Sequence, residues 1–260
     1  MTNLHIHHRV GALVRATLLW LLLAVLTLPA SAITKRDADE AYRKGNFQQA
    51  IDDYRELLHR GVSAELYYNL GNAYYRSDNL TQAILAYERA SLLSPGDDDI
   101  RFNLQFARSK TIDKITPEGE TVFATWYRSL VNFTSVDRWA TVSVSSVVLA
   151  LLLMLAYLFA PRLALRKVGF FGGVLFVLTF LCSTLFGWSQ KRALESRTGA
   201  IIVTPCVSVR KTPVKNAQEA FVLHEGTRVD VTDASLPAWR GIRLADGREG
   251  WIPARQLEAI

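Results

Sequence analysis

Apolar residues are arranged in four ways along the chain, and each arrangement predicts a different kind of element. Residues 16–29 form a short apolar run near the N-terminus. In residues 33–110, small and aromatic residues recur at helical intervals, which predicts paired amphipathic helices. Residues 139–160 and 168–188 are almost purely apolar and uncharged, and each is long enough to cross a membrane as a helix. In residues 199–260, short apolar runs alternate with polar residues and turns, which predicts β-strands.

The N-terminal stretch, residues 1–32, has the features of a secretory signal peptide. Arg9 and Arg15 precede the apolar run, and Ala30-Ser31-Ala32 is a small-residue cleavage site. We expect cleavage after Ala32. An uncleaved anchor of the same orientation is the alternative.

The two long apolar stretches predict a transmembrane hairpin of helices 139–160 and 168–188. The loop between them, 161–167, is short and carries three basic residues, which favours the cytoplasmic side. An exported N-terminus enters the first span from outside, so both ends of the hairpin are expected outside. The spans contain no ionisable residue, which argues against transport.

Small residues in the two spans predict where these helices pack. Gly169 and Gly173 form a G-x-x-x-G motif, and Ala156 and Ala160 form a similar pair in the first span. Small residues let helix backbones approach closely in a membrane. The alternative is that these glycines occur by chance on a lipid-facing surface.

An internal repeat of 33–34 residues organises the segment 33–110. Ala50 and Tyr54 align with Ala83 and Tyr87 at an offset of 33, and Gly71 is small where two helices would come closest. These spacings resemble the tetratricopeptide repeat, whose pattern is met by Tyr67, Leu70, Gly71, Tyr74, Ala83, Tyr87, Ala90 and Pro95. The resemblance implies about two and a half helix pairs and a groove lined by the first helix of each pair.

By the same resemblance, the groove would bind a protein segment. Its predicted lining residues are Asp39, Tyr42, Arg43, Tyr68, Asn72, Tyr75, Arg76, Phe102 and Phe106. The alternative is that some of these aromatic residues only pack against the neighbouring helix.

A linker, residues 111–138, joins the repeat to the first span. Pro117 and Gly119 break the chain, and an apolar stripe then follows at helical spacing in Phe123, Trp126, Tyr127, Leu130 and Val131. This stripe predicts either an interfacial helix lying on the outer leaflet or a capping helix for the repeat stack.

The C-terminal segment predicts a small all-β module, residues 199–260, after a polar stalk, residues 189–198. Five short strands in this length suggest a barrel, with a hairpin turn at Asp246-Gly247. The runs VSVR, LHEGTRVDV and LADGREGWIP resemble a bacterial SH3-type domain. Trp239 and Trp251 are candidate ligand contacts of such a domain, or alternatively side chains that close the barrel mouth.

Charge and motif content favour a non-catalytic protein. The net charge is +6, but residues 33–110 carry 11 basic and 12 acidic side chains and residues 199–260 carry 8 and 7, so neither soluble part predicts nucleic-acid binding. The chain has no P-loop, no G-x-S-x-G and no HExxH motif. Cys206 has no histidine near it in sequence. We therefore expect no enzyme activity, no metal and no cofactor.

The order of these segments predicts the fold class. It is a multidomain membrane protein with all-α tetratricopeptide helical repeats, a two-helix transmembrane hairpin and a small all-β SH3-like barrel. This order resembles the BatE family of the Bacteroides aerotolerance operon group. The resemblance implies an inner-membrane scaffold with periplasmic N- and C-terminal domains, acting with von Willebrand A-domain membrane proteins and a MoxR-type ATPase in stress tolerance. A peptidoglycan-binding sensor acting through the SH3-type domain is the alternative.

Overall fold

The structure is a computed structural model that describes residues 33–119, 121–196 and 198–260. The predicted signal peptide, residues 1–32, lies outside the described residues. The chain divides into two units at Thr34 and Lys35, and the elements below all belong to Lys35–Ile260.

Five helices form the repeat domain. They are α1 (Lys35–Arg43), α2 (Phe47–Arg60), α3 (Ala64–Arg76), α4 (Leu80–Leu93) and α5 (Asp98–Arg108). The starts of α3, α4 and α5 are capped by side chains of Ser63, Asn79 and Asp97, which accept hydrogen bonds from backbone amides of the first turn. Pro95 lies just after the end of α4. Within a helix its missing N–H would remove a backbone hydrogen bond, so proline is placed after the helix end.

Small residues hold these helices close together. Ala38, Ala50 and Ala73 are fully buried in one core shared by α1, α2 and α3. A side chain at Gly71 would meet the ring of Tyr87 at 2.6 Å, so only a hydrogen atom fits between α3 and α4 at this point. The repeat pattern therefore reflects helix contact distance.

Three further helices follow. They are α6 (Val122–Val131), α7 (Val136–Phe159) and α8 (Leu163–Glu195). Helices α7 and α8 form an antiparallel hairpin, and α6 packs on α8. The α8 helix is longer than the predicted second span, because it runs without a break from the predicted loop into the predicted stalk.

The C-terminal segment folds into an antiparallel sheet of seven strands within residues 198–260, whereas the sequence pattern predicted five. The strands are β1 (Gly199–Ile202), β2 (Cys206–Arg210), β3 (Glu219–His224), β4 (Arg228–Asp233), β5 (Trp239–Arg243), β6 (Glu249–Pro253) and β7 (Leu257–Ala259). Their order is β3-β2-β6-β5-β4-β1-β7. The turn between β5 and β6 has Gly247 at φ 83°, which confirms the predicted hairpin turn.

Candidate functional site

A hydrogen-bonded network recurs along the concave face of the repeat, which the first helices α1, α3 and α5 line. The Tyr54 hydroxyl donates to Asp39 Oδ1 over 2.7 Å. One repeat later, the Tyr87 hydroxyl donates to Asn72 Oδ1 over the same 2.7 Å. A second donor also recurs, since Asn69 Nδ2 reaches Asp39 over 3.4 Å and Asn103 Nδ2 reaches Asn72 over 3.1 Å.

This network fixes the floor of the groove. In each helix pair, a tyrosine hydroxyl of the second helix donates to a carboxylate or amide oxygen of the first helix. An asparagine on the first helix of the next pair donates the second hydrogen bond to the same oxygen. Burial is the main reason that the pKa of Tyr54 and the pKa of Tyr87 are raised, so both hydroxyls stay protonated and donate. Tyr68 belongs to the same floor, because its hydroxyl accepts a 3.0 Å bond from Asn103 and its ring lies 6.0 Å from that of Tyr87.

The groove is charged at its α1 end. An open cleft of about 590 Å³ lies there, lined by Lys35, Arg36, Asp39, Tyr42, Arg43, Tyr54 and Asn69. Burial opposes ionisation of Asp39, but bonds from Tyr54 and from Lys35, at 2.9 Å, outweigh it and hold the pKa of the carboxyl below its usual value. Arg36 and Arg43 are exposed beside this carboxylate, so the cleft has an excess of positive charge.

The groove is aromatic at its α5 end. The rings of Phe102 and Phe106 are stacked at 6.4 Å, and Tyr75 lies 5.8 Å from Phe106. Phe102 is 68% exposed and Phe106 is 43% exposed. Lys110 lies over the Phe106 ring at 5.1 Å. Exposed aromatic residues of this kind are enriched in protein interfaces, because they bury large apolar areas at little entropic cost.

Tyr42, at the α1 end, and Arg76, at the end of α3, both contact Phe47. Tyr42 contacts Phe47 edge to face at 5.5 Å, and the Arg76 guanidinium lies over the same Phe47 ring at 4.8 Å. The structure thus brings Asp39, Tyr42 and Arg43 together at the cleft, and Tyr75, Phe102 and Phe106 together in the aromatic patch. Tyr68 and Asn72 serve the floor. Phe47 is a groove contact that the sequence analysis missed, and its recurrence as Leu80 one repeat later was the available signal.

The helical repeat segment matches a known protein family. Residues 36–98 match the family Tetratricopeptide repeat. A search of curated protein sequences found no match to the chain. Tetratricopeptide repeats mediate protein–protein interactions, so the match supports a protein-interaction scaffold and leaves the partner open.

One side of helices α4 and α5 is covered by the C-terminal sheet. Ile201 of β1 and the terminal residue Ile260 are buried in one core with α4 and α5 residues that include Ile84, Leu104 and Ala107. In a complete third unit, a second helix would pack against both α4 and α5. The sheet contacts both helices and so replaces this missing helix.

Polar contacts fix the sheet on α4. Arg89 donates to the Glu258 carboxylate over 3.1 Å and to the Ala259 carbonyl oxygen over 2.6 Å. Thr81 donates to Glu225 over 3.0 Å. The buried Glu88 carboxylate pairs with Arg108 of α5 and lies 3.9 Å from Arg228 of β4. The contacts between α4 and the sheet join residues more than a hundred positions apart in sequence.

The linker segment beside residue 113 also binds the sheet. Asp113 Oδ2 accepts bonds from the His224 amide and the Thr227 hydroxyl, both at 2.7 Å, and Asp113 Oδ1 lies 2.9 Å from His224 Nδ1. Burial opposes ionisation of Asp113, but the bonds from His224 and Thr227 outweigh it and lower the pKa of this carboxyl. The sequence analysis missed this contact, because nothing local to Asp113 indicates a partner 111 residues away.

The predicted contacts of the C-terminal module are partly buried. Trp239 and Trp251 are both half-buried and lie on the neighbouring strands β5 and β6. Cys206 is exposed and lies opposite His224 in the β2–β3 pairing, although the two are distant in sequence. Cys206 makes no hydrogen bond to His224 in the described part of the chain.

The predicted packing residues of the apolar hairpin lie along its contact. Within the described residues, α7 and α8 are the two helices that are long and apolar enough to cross a membrane. A side chain added at Gly169 would meet backbone atoms of Leu153 and Tyr157 at 2.6–2.7 Å. One added at Gly173 would meet Ala150 and Leu153 at 3.9 Å. Ala156 and Ala160 are half-buried.

Proposed function

We propose that this protein is a non-catalytic, membrane-anchored adaptor whose concave repeat face binds an extended or helical segment of a partner protein. The observation that carries the proposal is the difference between the two faces of the repeats. The side of α4 and α5 that faces the sheet is buried, whereas the concave face keeps an exposed aromatic patch and an exposed basic cleft. A partner therefore finds its exposed anchors on the concave face.

The membrane part of the proposal rests on α7 and α8. Their large apolar side chains are mostly exposed, which in water would be an unusually large apolar surface. The repeats precede the hairpin and the sheet follows it, yet they are joined by a core and by ion pairs. If the hairpin crosses a membrane, this contact requires both modules on the same side.

The finer assignment follows from the resemblance of the domain order to the BatE family. It names the inner membrane as the location and the periplasm as the compartment of both modules. It also names von Willebrand A-domain membrane proteins and a MoxR-type ATPase as partners, in a complex linked to stress tolerance.

The test is cross-linking and affinity purification from detergent-solubilised membranes, followed by mass spectrometry. The intact chain is compared with a Tyr42→Ala/Tyr75→Ala/Arg76→Ala variant. A matched control carries Gln48→Ala, Gln49→Ala and Arg55→Ala, which are exposed positions on the second helix α2. All three chains are brought to equal abundance.

We expect the intact chain and the control to recover the same membrane proteins, and the groove variant to lose them. Equal recovery by all three chains would contradict groove binding. Recovery of sacculus fragments with no protein partner would favour the wall-binding alternative instead.

A further inference from the structure

Helix α6 has three distinct sides, and contacts within the described residues account for two of them. At roughly 100° per residue, its side chains fall into three sectors. One sector, with Tyr127 and Val131, faces α8. A second sector is polar and contains Thr125, Arg128 and Ser129. The third is apolar and contains Val122, Phe123 and Trp126.

The first sector attaches α6 to the end of the hairpin. The Tyr127 ring lies 6.2 Å from Phe186 of α8, and Val131 is buried. The Val131 carbonyl oxygen accepts bonds from Trp139 Nε1 over 2.9 Å and from Gln190 Nε2 over 3.4 Å. Gln190 also donates to the Thr134 carbonyl oxygen over 2.9 Å. These bonds fix α6 and the following turn at one height along α7 and α8.

That height coincides with the end of the apolar section of both helices. Trp139 and Phe186 contact each other there at 5.2 Å. Trp188 is exposed two residues further along α8, with the Arg192 guanidinium over its ring at 5.4 Å. Tryptophan and arginine at the end of an apolar helix mark the boundary between hydrocarbon and headgroups.

The third sector is strongly exposed. Val122 is 87% exposed, Phe123 73%, Trp126 58%, and Phe133 in the turn after α6 77%. The helix carries no acidic residue, and its only basic residue, Arg128, belongs to the polar sector. Leaving such side chains in water forgoes the stabilisation that burial of apolar surface provides.

We propose that Val122, Phe123, Trp126 and Phe133 insert into the interfacial layer of the lipid bilayer beside the hairpin. Helix α6 is then an in-plane membrane anchor. The proposal rests on the proposed membrane location of α7 and α8. Lipid fits this surface because it continues the exposed apolar sides of α7 and α8 at the height of the tryptophans, and because the sector has no charge for a protein partner to pair with.

The anchor also positions the repeats. A side chain at Gly96, in the turn after α4, would lie 2.2 Å from the Phe133 carbonyl oxygen, so the repeat domain and the turn after α6 touch backbone to backbone. An α6 helix fixed in the membrane surface therefore holds the repeats directly on that surface. The groove is then presented to partner segments that lie close to the membrane.

The test measures the depth of single spin labels in the full-length chain, reconstituted in phosphatidylcholine vesicles that contain a minority of phosphatidylglycerol. Cys182 and Cys206 are first replaced by serine. One cysteine is then introduced at a time by Phe123→Cys, Trp126→Cys, Arg128→Cys or Leu152→Cys. Each label is probed by collision with oxygen, which concentrates in lipid, and with a water-soluble nickel complex.

We expect the labels at 123 and 126 to collide several-fold more with oxygen than with nickel, as the label at 152 on α7 does. The label at 128, in the polar sector, should favour nickel. If the label at 152 favours oxygen while those at 123 and 126 favour nickel, α6 lies in water and the proposal is wrong.

Two further outcomes are separable from this one. Labels at 123 and 126 that neither probe reaches would mean that protein covers the sector, which also overturns the proposal. A label at 152 that favours nickel would overturn the membrane location itself and, with it, this inference.

Discussion

The two faces of the tetratricopeptide repeats are built from neighbouring helices yet are used in opposite ways. On the closed face, which is the side of α4 and α5 against the sheet, aliphatic side chains such as Ile84 and Ile201 are buried. On the concave face, the polar groups of the floor are satisfied internally, while Phe102, Phe106 and Arg43 remain exposed. The difference shows that large side chains of the repeats are left exposed on one face and buried on the other. The face with a permanent internal partner is closed, and the open face is the one available to other proteins.

The largest expected effect comes from opening the closed face. Ile201→Ala removes a fully buried side chain from the core shared by β1, α4 and α5, and should cost about 2–4 kcal/mol of unfolding free energy. Because that core is shared, amide hydrogen exchange should accelerate in α4 and α5 as well as in the sheet. Val214→Ala is the control, since Val214 is exposed. Unchanged protection of α4 and α5 would mean that the repeats do not depend on the sheet.

A second substitution tests whether the open face depends on close helix contact. Gly71→Ala places a methyl group 2.6 Å from ring atoms of Tyr87, whose hydroxyl is held by Asn72. The ring cannot move without breaking the groove floor, so we expect a loss of about 1–3 kcal/mol in denaturant unfolding. Gly61→Ala is the matched control, because a side chain there meets open space. Equal effects of the two substitutions would contradict this account of the repeat.

Acid should weaken both faces through two carboxylates. These two carboxyls have pKa values lowered from 3.8. They are Asp39 in the groove floor and Asp113, a linker residue that is bound to the sheet. A lowered pKa in the folded state contributes stability that is present above the unfolded pKa and is lost as pH falls through the folded pKa. Stability should therefore decline below about pH 4.

Isosteric variants assign this decline to each face. Asp39→Asn puts an amide where Asn72 already stands in the next repeat. It should therefore lower the free energy of unfolding by only about 1 kcal/mol at neutral pH and remove the acid sensitivity of α1–α3. Asp113→Asn should remove the acid sensitivity of the linker contact with the sheet. Hydrogen exchange at several pH values measures both. An unchanged acid decline in both variants would assign it to other carboxylates.

The smallest expected effect concerns the wall-binding alternative. Trp239→Ala changes a half-buried residue of the sheet that is remote from the groove. Under the adaptor proposal, sedimentation of the full-length chain with purified sacculi should be weak and the same with and without this change. Saturable co-sedimentation that Trp239→Ala abolishes would contradict the adaptor proposal and favour the sensor.

Sequence patterns predicted the elements better than they predicted the contacts between modules. The offset between Tyr54 and Tyr87 indicated the repeat, because helix contact distance imposes small and aromatic residues at fixed intervals. The apolar hairpin was equally visible, since composition alone determines it. Local pattern also indicated the turn at Gly247.

The contacts that join the modules could not be predicted in this way. Ile201, Ile260 and Glu258 look like ordinary strand and terminal residues, and their partners lie on α4 and α5. The Asp113–His224 contact is similarly non-local, and sequence alone placed these two residues in separate modules. The number of strands was underestimated because β3 and β7 carry only weak alternation.

The most direct test of the account is a cross-link between the closed face and the sheet, combined with a measurement of groove binding. Thr81→Cys and Glu225→Cys are introduced together into the Cys182→Ser/Cys206→Ser chain, because the native side chains touch at 3.0 Å. A short bismaleimide is applied to native membranes. We predict an efficient intramolecular cross-link and unchanged recovery of the partner proteins. Free labelling of both cysteines without a cross-link, or loss of partners once the cross-link forms, would contradict a sheet that closes one side of α4 and α5 and a concave face that stays open.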